Sequence, residues 1–159
     1  MARNWTMDEA LVQAISQNIY EALPLLPKRF IRVDSLTKEL GMPFSHIQIL
    51  CMLAKGEMSI GKISVNLGIA KPNITPLLDV LHDRGLVERC RSEKDRRIVN
   101  VRLLPAGEEM ARSLQANLAN QVKGWPADFS PSDIRRLNNA LAYLIEVAHR
   151  LSNAETDEG

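Results

Sequence analysis

Between Ile60 and Leu103 the hydrophobic period changes once, from helical to alternating, and the change falls on a glycine. Ile60, Ile63 and Leu67 recur at helical spacing and stop at Gly68, and Ile74, Leu77, Leu78 and Leu81 form a second such run that stops at Gly85. Ser59 suits the N-cap of the first run, because a hydroxyl there accepts from an amide that the opening turn leaves unpaired. Beyond Gly85 the residues alternate. Val87, Arg89 and Arg91 interleave with Glu88 and Cys90, and Val99, Val101 and Leu103 interleave with Ile98, Asn100 and Arg102. The charged stretch Ser92 to Arg97 separates the two runs, so the pattern predicts a β-hairpin with Val99, Val101 and Leu103 on its core side. Two short helices joined around a glycine and followed by such a hairpin are the sequence form of a winged helix-turn-helix, expected from about Phe44 to Leu103. The second helix would expose Asn73, Thr75, Pro76 and Asp79 opposite its apolar stripe.

The flanks are helical. Leu11, Ile15, Ile19 and Leu23 mark a first amphipathic helix that Pro24 and Pro27 stop or kink. Asp34-Ser35-Leu36 opens a short further turn ended by Gly41, and Ile47 to Ala54 reads as a core helix. After Pro105 and Gly107, Met110, Leu114, Leu118 and Val122 line a long helix that Gly124-Trp125-Pro126 ends. Ser130-Pro131-Ser132-Asp133 announces a last helix, with Ile134, Leu137, Leu141, Leu144, Ile145, Ala148 and Leu151 as its stripe. The expected class is mainly α with a small β-wing. It divides into an N-terminal dimerisation helix and connector (1–41), a winged helix-turn-helix (42–104), C-terminal helices of the dimerisation region (105–151) and an acidic flexible tail (152–159). The terminal stripes need cover, and a second copy supplies it most simply. The expected dimer interface is Leu11, Ile15, Leu137, Leu141, Leu144, Ile145 and Ala148.

Charge narrows the functional classes. The chain of 159 residues carries a formal net charge of only +1, yet Arg84 to Arg102 holds seven basic residues against three acidic ones. A basic cluster in a near-neutral protein favours a surface that meets an anion, nucleic acid above all. The same charges would also guard a solvated hairpin edge against strand pairing. Two cysteines give no disulfide framework, and Lys and Arg interrupt every apolar run long enough to span a membrane. A cytoplasmic protein without a membrane partner is therefore expected. Cys51 reads as a small buried side chain; Cys90 lies between Arg89 and Arg91, which could lower its pKa, but a structural or incidental role is expected for it and no redox sensing. His46, His82 and His149 lack metal-ligand spacing, and no nucleophile or phosphate-loop motif occurs, so no enzyme, metal or cofactor is expected.

The run Leu77-Leu78-Asp79-Val80-Leu81-His82-Asp83-Arg84-Gly85-Leu86-Val87-Glu88-Arg89 resembles the end of the recognition helix and the first wing strand of MarR-type transcription regulators. Asp95-Arg96-Arg97-Ile98-Val99-Asn100-Val101-Arg102-Leu103 resembles their D-x-R-x-x-x-V-x-L wing, Gly107 falls where that family usually has a glycine, and Ile60 to Gly68 looks like the first helix of the motif. The resemblance implies a homodimeric transcription regulator, expected to act as a repressor, on pseudo-palindromic double-stranded DNA. Recognition-helix contacts would come from Lys71, Pro72, Asn73, Thr75 and Pro76, and wing contacts from Arg89, Arg91, Lys94, Asp95, Arg96 and Arg97. Within the wing, Asp95 would orient Arg97 towards the minor groove, with Lys94 and Arg96 on phosphates. It further implies a candidate cleft for a small aromatic or lipophilic effector, drawn from Ile15, Ile19, Tyr20, His46, Ile47 and Leu50. Two departures stand out: Ala70 occupies the capping position, and Pro76 lies in the recognition helix. That helix starts either near Pro72 or at Pro76 with Thr75 as its cap. A winged-helix module for protein interaction, without DNA binding, is the alternative function.

Overall fold

The computed structural model describes residues 8–93, 95–125 and 129–157, and side chains as far as Asn153. The chain divides into two compact units, Met1–Gly41 and Met42–Gly159. The first holds α1 (Glu9–Ala22), a π-helical turn (Leu26–Phe30) and α2 (Val33–Leu40). Asp8 caps α1 by accepting from the Ala10 amide at 3.1 Å. Pro27 lies in the first turn of the π-helical segment, where a missing N–H costs nothing. Gly41 ends α2 in the left-handed region. None of the α1 residues is buried, so its stripe of Leu11, Ile15, Ile19 and Leu23 faces outward.

The second unit comprises α3 (Phe44–Leu53), β1 (Met58–Ser59), α4 (Ile60–Leu67), α5 (Lys71–Asp83), β2 (Val87–Arg91), β3 (Val99–Leu103), α6 (Pro105–Lys123) and α7 (Pro131–Asp157). Ser59 caps α4 as its spacing predicts, with Oγ accepting from the Lys62 amide at 3.2 Å. Gly68 ends α4 in the left-handed region, and the turn into α5 closes when Ser64 Oγ donates to the Ile69 carbonyl at 2.6 Å. Ile49, Leu50 and Leu53 of α3, Ile63 of α4, Ile74, Leu78 and Leu81 of α5, Val87, Val101 and Leu114 of α6 form one core. Each such side chain contributes roughly 1.5–3 kcal/mol through burial, which holds the short helices that propensity alone would not.

The sheet is antiparallel in the order β1-β3-β2, with Val87 opposite Leu103, Arg89 opposite Val101 and Arg91 opposite Val99. Strand β1 is absent from the sequence reading, because two residues carry no period. It exists only through pairing, Met58 with Val101 and Ser59 with Asn100. The core side of the wing is also shorter than expected. Val101 is fully buried and Leu103 half-buried, but Val99 is exposed because it pairs near the tip, beyond the helices. Helix α7 begins with a reciprocal cap, Ser130 Oγ accepting from the Asp133 amide and Asp133 Oδ2 from the Ser130 amide, both at 3.1 Å. The Ser130 hydroxyl, which donates to Asp133 Oδ2 at 2.6 Å, and then the Ser130 amide hold the Asp133 carboxyl below its ordinary pKa. The helix continues to Asp157, through most of the residues expected as an acidic tail after Leu151, with no glycine or proline to interrupt it there. Pro126, expected among the residues that end α6, lies outside the described residues.

His46 is the buried polar residue of this core. Its Nδ1 lies 3.5 Å from Ser45 Oγ, and Nε2 has no partner. Burial, helped by the charge of Arg84, lowers its pKa from 6.5. An unfolded chain therefore takes up a proton that the folded chain refuses, and stability declines as pH falls below about 6.5. Urea midpoints measured from pH 7.5 to 5 should drop on acidification, and His46→Phe should flatten that part of the curve. An unchanged slope in the variant would exclude His46 as its source.

Candidate nucleic-acid interface

Helix α5 starts at Lys71, with Pro72 in its first turn and Pro76 inside it, which decides between the two start points left open by the sequence. Ala70 supplies no side-chain cap, but Pro72 has no amide to satisfy, and the Asn73 amide donates to the Ala70 carbonyl at 2.8 Å. Pro76 removes the donor that would meet the Pro72 carbonyl. Because Pro72 and Pro76 are both exposed, water replaces it and the helix runs on. Lys71, Asn73 and Thr75 are exposed with these prolines, while Ile74, Leu78 and Leu81 anchor the opposite side. The outward face of α5 thus opens with amide and hydroxyl groups instead of an arginine.

The hairpin tip is a tight turn. The Ile98 amide donates to the Asp95 carbonyl at 2.9 Å and the Ser92 amide to the Ile98 carbonyl at 2.9 Å. Asp95 Oδ1 accepts from the Arg97 amide at 2.9 Å, an Asx-turn bond that shapes the tip from within. The same oxygen lies 3.4 Å from Arg97 Nε, so Asp95 and Arg97 are in contact, with the Arg97 side chain 93% exposed. Arg91 and Arg96 are exposed as well, and Lys94 lies outside the described residues.

Arg89 is placed differently from the other wing arginines. It shares the sheet face of Val101 and turns towards α5, where Nη2 donates to Asp79 Oδ1 at 2.7 Å and reaches the Thr75 carbonyl at 3.4 Å. It is a brace between wing and helix. The alternation of Arg89 with Arg91 says only that they share a face, and the depth of each along the strand decides which meets α5 and which meets solvent. Asp79, exposed in the sequence reading, has the role of its partner. On the other face Arg102 Nε donates to Glu88 at 2.7 Å across the strands. With Arg89 and Arg102 paired internally, the outward positive charge concentrates on Arg91, Arg96 and Arg97.

Cys90 shares that other face with Arg102 and Asn100, away from Arg89 and Arg91. Its neighbour is Glu57, whose Oε2 lies 3.6 Å from Sγ and whose Oε1 accepts from Asn100 Nδ2 at 2.9 Å. Desolvation, with the charge and hydrogen bond of Glu57, pushes the Cys90 thiol up, the opposite of the shift expected from its sequence neighbours. Cys51 also departs from expectation: it is exposed on α3 instead of buried, although desolvation still raises its pKa.

The residues expected to form an effector cleft do not come together within either unit. Ile15, Ile19 and Tyr20 are exposed in the first unit, whereas His46, Ile47 and Leu50 are interior side chains of the second, with Leu50 fully buried. A different apolar groove, of about 330 Å³, runs between α3 and α6, lined by Cys51, Ala54, Lys55, Leu114, Gln115 and Leu118 among others. Of the expected dimer residues, Leu11, Ile15, Leu144, Ile145 and Ala148 are exposed, and Leu137 and Leu141 are half-buried. Among the described residues no helix is long and apolar enough to cross a membrane, and no group of His, Cys, Asp and Glu is placed to hold a metal ion.

The model of the MarR family matches residues 40–98, from the end of α2 to the hairpin tip. A biofilm growth-associated repressor of Agrobacterium fabrum is 36% identical over 72 residues, a segment covering 45% of this chain and 61% of that protein's length. Among solved structures, AbsC, a MarR family transcriptional regulator from Streptomyces coelicolor, superposes with a TM-score of 0.61 at 21% identity over 92% of this chain and 98% of its own. Streptococcus pneumoniae FabT in complex with DNA superposes with a TM-score of 0.58 at 21% identity, over 89% and 95%. The matched segment contains α4, α5, β2 and the Asp95–Arg97 turn, and with the three-stranded wing around it this chain has the winged-helix fold of the MarR-type structures it resembles.

Proposed function

We propose that this chain is a transcription regulator that binds pseudo-palindromic double-stranded DNA as a homodimer and acts as a repressor. The observation that carries the reading is the exposed Arg97 tip, shaped by Asp95 and tied through β2 and Arg89 to the polar outward face of α5. A hairpin and a helix held in one fixed relation match the two grooves that a duplex offers. In this reading α5 enters the major groove, where Asn73 pairs with adenine and the Thr75 methyl meets thymine. Arg97 enters the flanking minor groove, and Lys71, Pro72, Pro76, Arg91, Lys94 and Arg96 line the backbone. FabT, of the same fold, has been solved with DNA, and the Agrobacterium relative is named a repressor.

The dimer reading rests on the outward apolar stripes, Leu11, Ile15 and Ile19 on α1 and Leu144, Ile145 and Leu151 on α7. Such patches are unusual on a monomer, and a two-fold partner supplies cover for them. The groove between α3 and α6 is the place for a small apolar effector. A ligand there releases DNA only if it binds better to a subunit arrangement that the operator disfavours. Selection of bound sites from random DNA, paired with sedimentation of the free protein, tests the reading. A two-fold-symmetric motif and a dimeric mass are expected. A monomeric mass, or no site that resists non-specific competitor, would overturn it in favour of a protein-interaction module.

A further inference from the structure

A second cleft, of about 380 Å³, lies in the second unit between α4 and the C-terminal part of α7. Its lining is polar, with two lysines, a histidine and one carboxylate among the described residues. Lys55 enters from the turn after α3, Lys62 from α4 and His149 from α7, so three nitrogen-bearing cations or potential cations converge from three elements. Lys62 and Asn66 are four residues apart on one face of α4, and His149, Ser152 and Asn153 are three and four apart on one face of α7. Neither the cleft nor these spacings belong to the proposed DNA surface.

Glu57, a carboxylate in the lining, keeps its negative charge and offsets part of theirs. Both oxygens of Glu57 are engaged by the sheet, Oε1 by Asn100 and Oε2 by the Cys90 thiol. Among the described residues, no ion pair within 4 Å includes Lys55, Lys62 or His149. Asn66 Nδ2 is left 3.6 Å from Met58 Sδ, a weak acceptor that an anionic oxygen would displace. The volume is many times that of one water and within the range of small-molecule sites.

We propose that this cleft binds a small phosphate-bearing anion. Two lysine ammonium groups act as point charges on phosphate oxygens, while the imidazole and the Asn66 amide offer further donors for the remaining lone pairs. An occupied site would add a polar bridge between α4 and α7, two helices that already pack against each other.

The test uses the full chain, with no DNA present, so its failure and that of the regulator reading are separate events. The His149 ring signals are followed by NMR while inorganic phosphate, glycerol 3-phosphate or potassium chloride is added at matched ionic strength, and thermal melts are recorded in parallel. A saturable change with either phosphate compound, absent with chloride and accompanied by a raised melting temperature, is expected. Saturation by both assigns the phosphate group itself as the ligand, and saturation by the ester alone assigns a phosphate ester. Lys62→Gln and Lys55→Gln, both at exposed positions, should each weaken binding by about tenfold or more while melting as the parent does without ligand. Equal responses to chloride and phosphate, no response, or undiminished binding by both variants would overturn the proposal.

Discussion

Alanine in place of Gly107 should destabilise the second unit by at least about 3 kcal/mol, although glycine to alanine inside a helix ordinarily stabilises by up to about 1 kcal/mol. The sign reverses because of what lies beside it. A Cβ built on Gly107 would stand 2.0 Å from the Leu86 carbonyl oxygen and 3.2 Å from Leu103 Cδ2. The first neighbour is backbone at the entry to β2 and cannot swing aside as a side-chain tip can. The same carbonyl accepts from the Leu104 amide at 2.9 Å, so moving α6 away breaks the bond that joins its start to β2. Val87 and Val101, both buried beside this junction, would be disturbed together. Urea and thermal melts of the variant measure the effect, with Gln115→Ala on the exposed side of α6 as a control expected within about 0.5 kcal/mol of the parent. A Gly107→Ala chain as stable as the parent would show that the first turn of α6 is not locked to the wing.

Arg97→Ala should weaken binding to a selected operator by roughly ten- to a hundredfold and lower the salt slope by about one. The argument is geometric. Arg97 is 93% exposed and its one near partner, Asp95, lies at 3.4 Å, so the guanidinium is already presented and costs little to redirect. For the same reason the substitution should leave the melting curve within about 0.5 kcal/mol of the parent, separating a lost contact from a lost fold. Arg97→Lys keeps the charge but loses the planar fork, and should restore the salt slope more fully than the affinity. Mobility shifts across a range of salt concentrations give both quantities. Unchanged affinity and unchanged slope would remove the wing from the interface and leave the protein-interaction reading in its place.

The arginines show how far a linear reading carries. Their density between Arg84 and Arg102 is plain in the chain, whereas the Asp95–Arg97 pair is implied only by the resemblance to a family's wing, and the structure supplies the Asx-turn bond between them. What each arginine does is a different matter. Arg89 and Arg91 have the same period and nearly the same neighbours, yet one braces Asp79 on α5 and the other faces solvent. Cys90 makes the same point with the opposite charge. Its neighbours in the chain are cations, but strand geometry turns them to the other face and brings Glu57, thirty-three residues away, against the thiol.

Helices α1 and α3 to α7, the hairpin and their capping residues were decided locally, since capping, periodicity and turn chemistry act over a few residues and survive in any fold that keeps them. Strand β1, the Arg89 brace, the exposed position of Cys51 and the α4–α7 cleft were decided by packing. Each depends on groups far apart in the chain being brought within a few ångströms, and no short-range pattern records which of many possible partners the core will select.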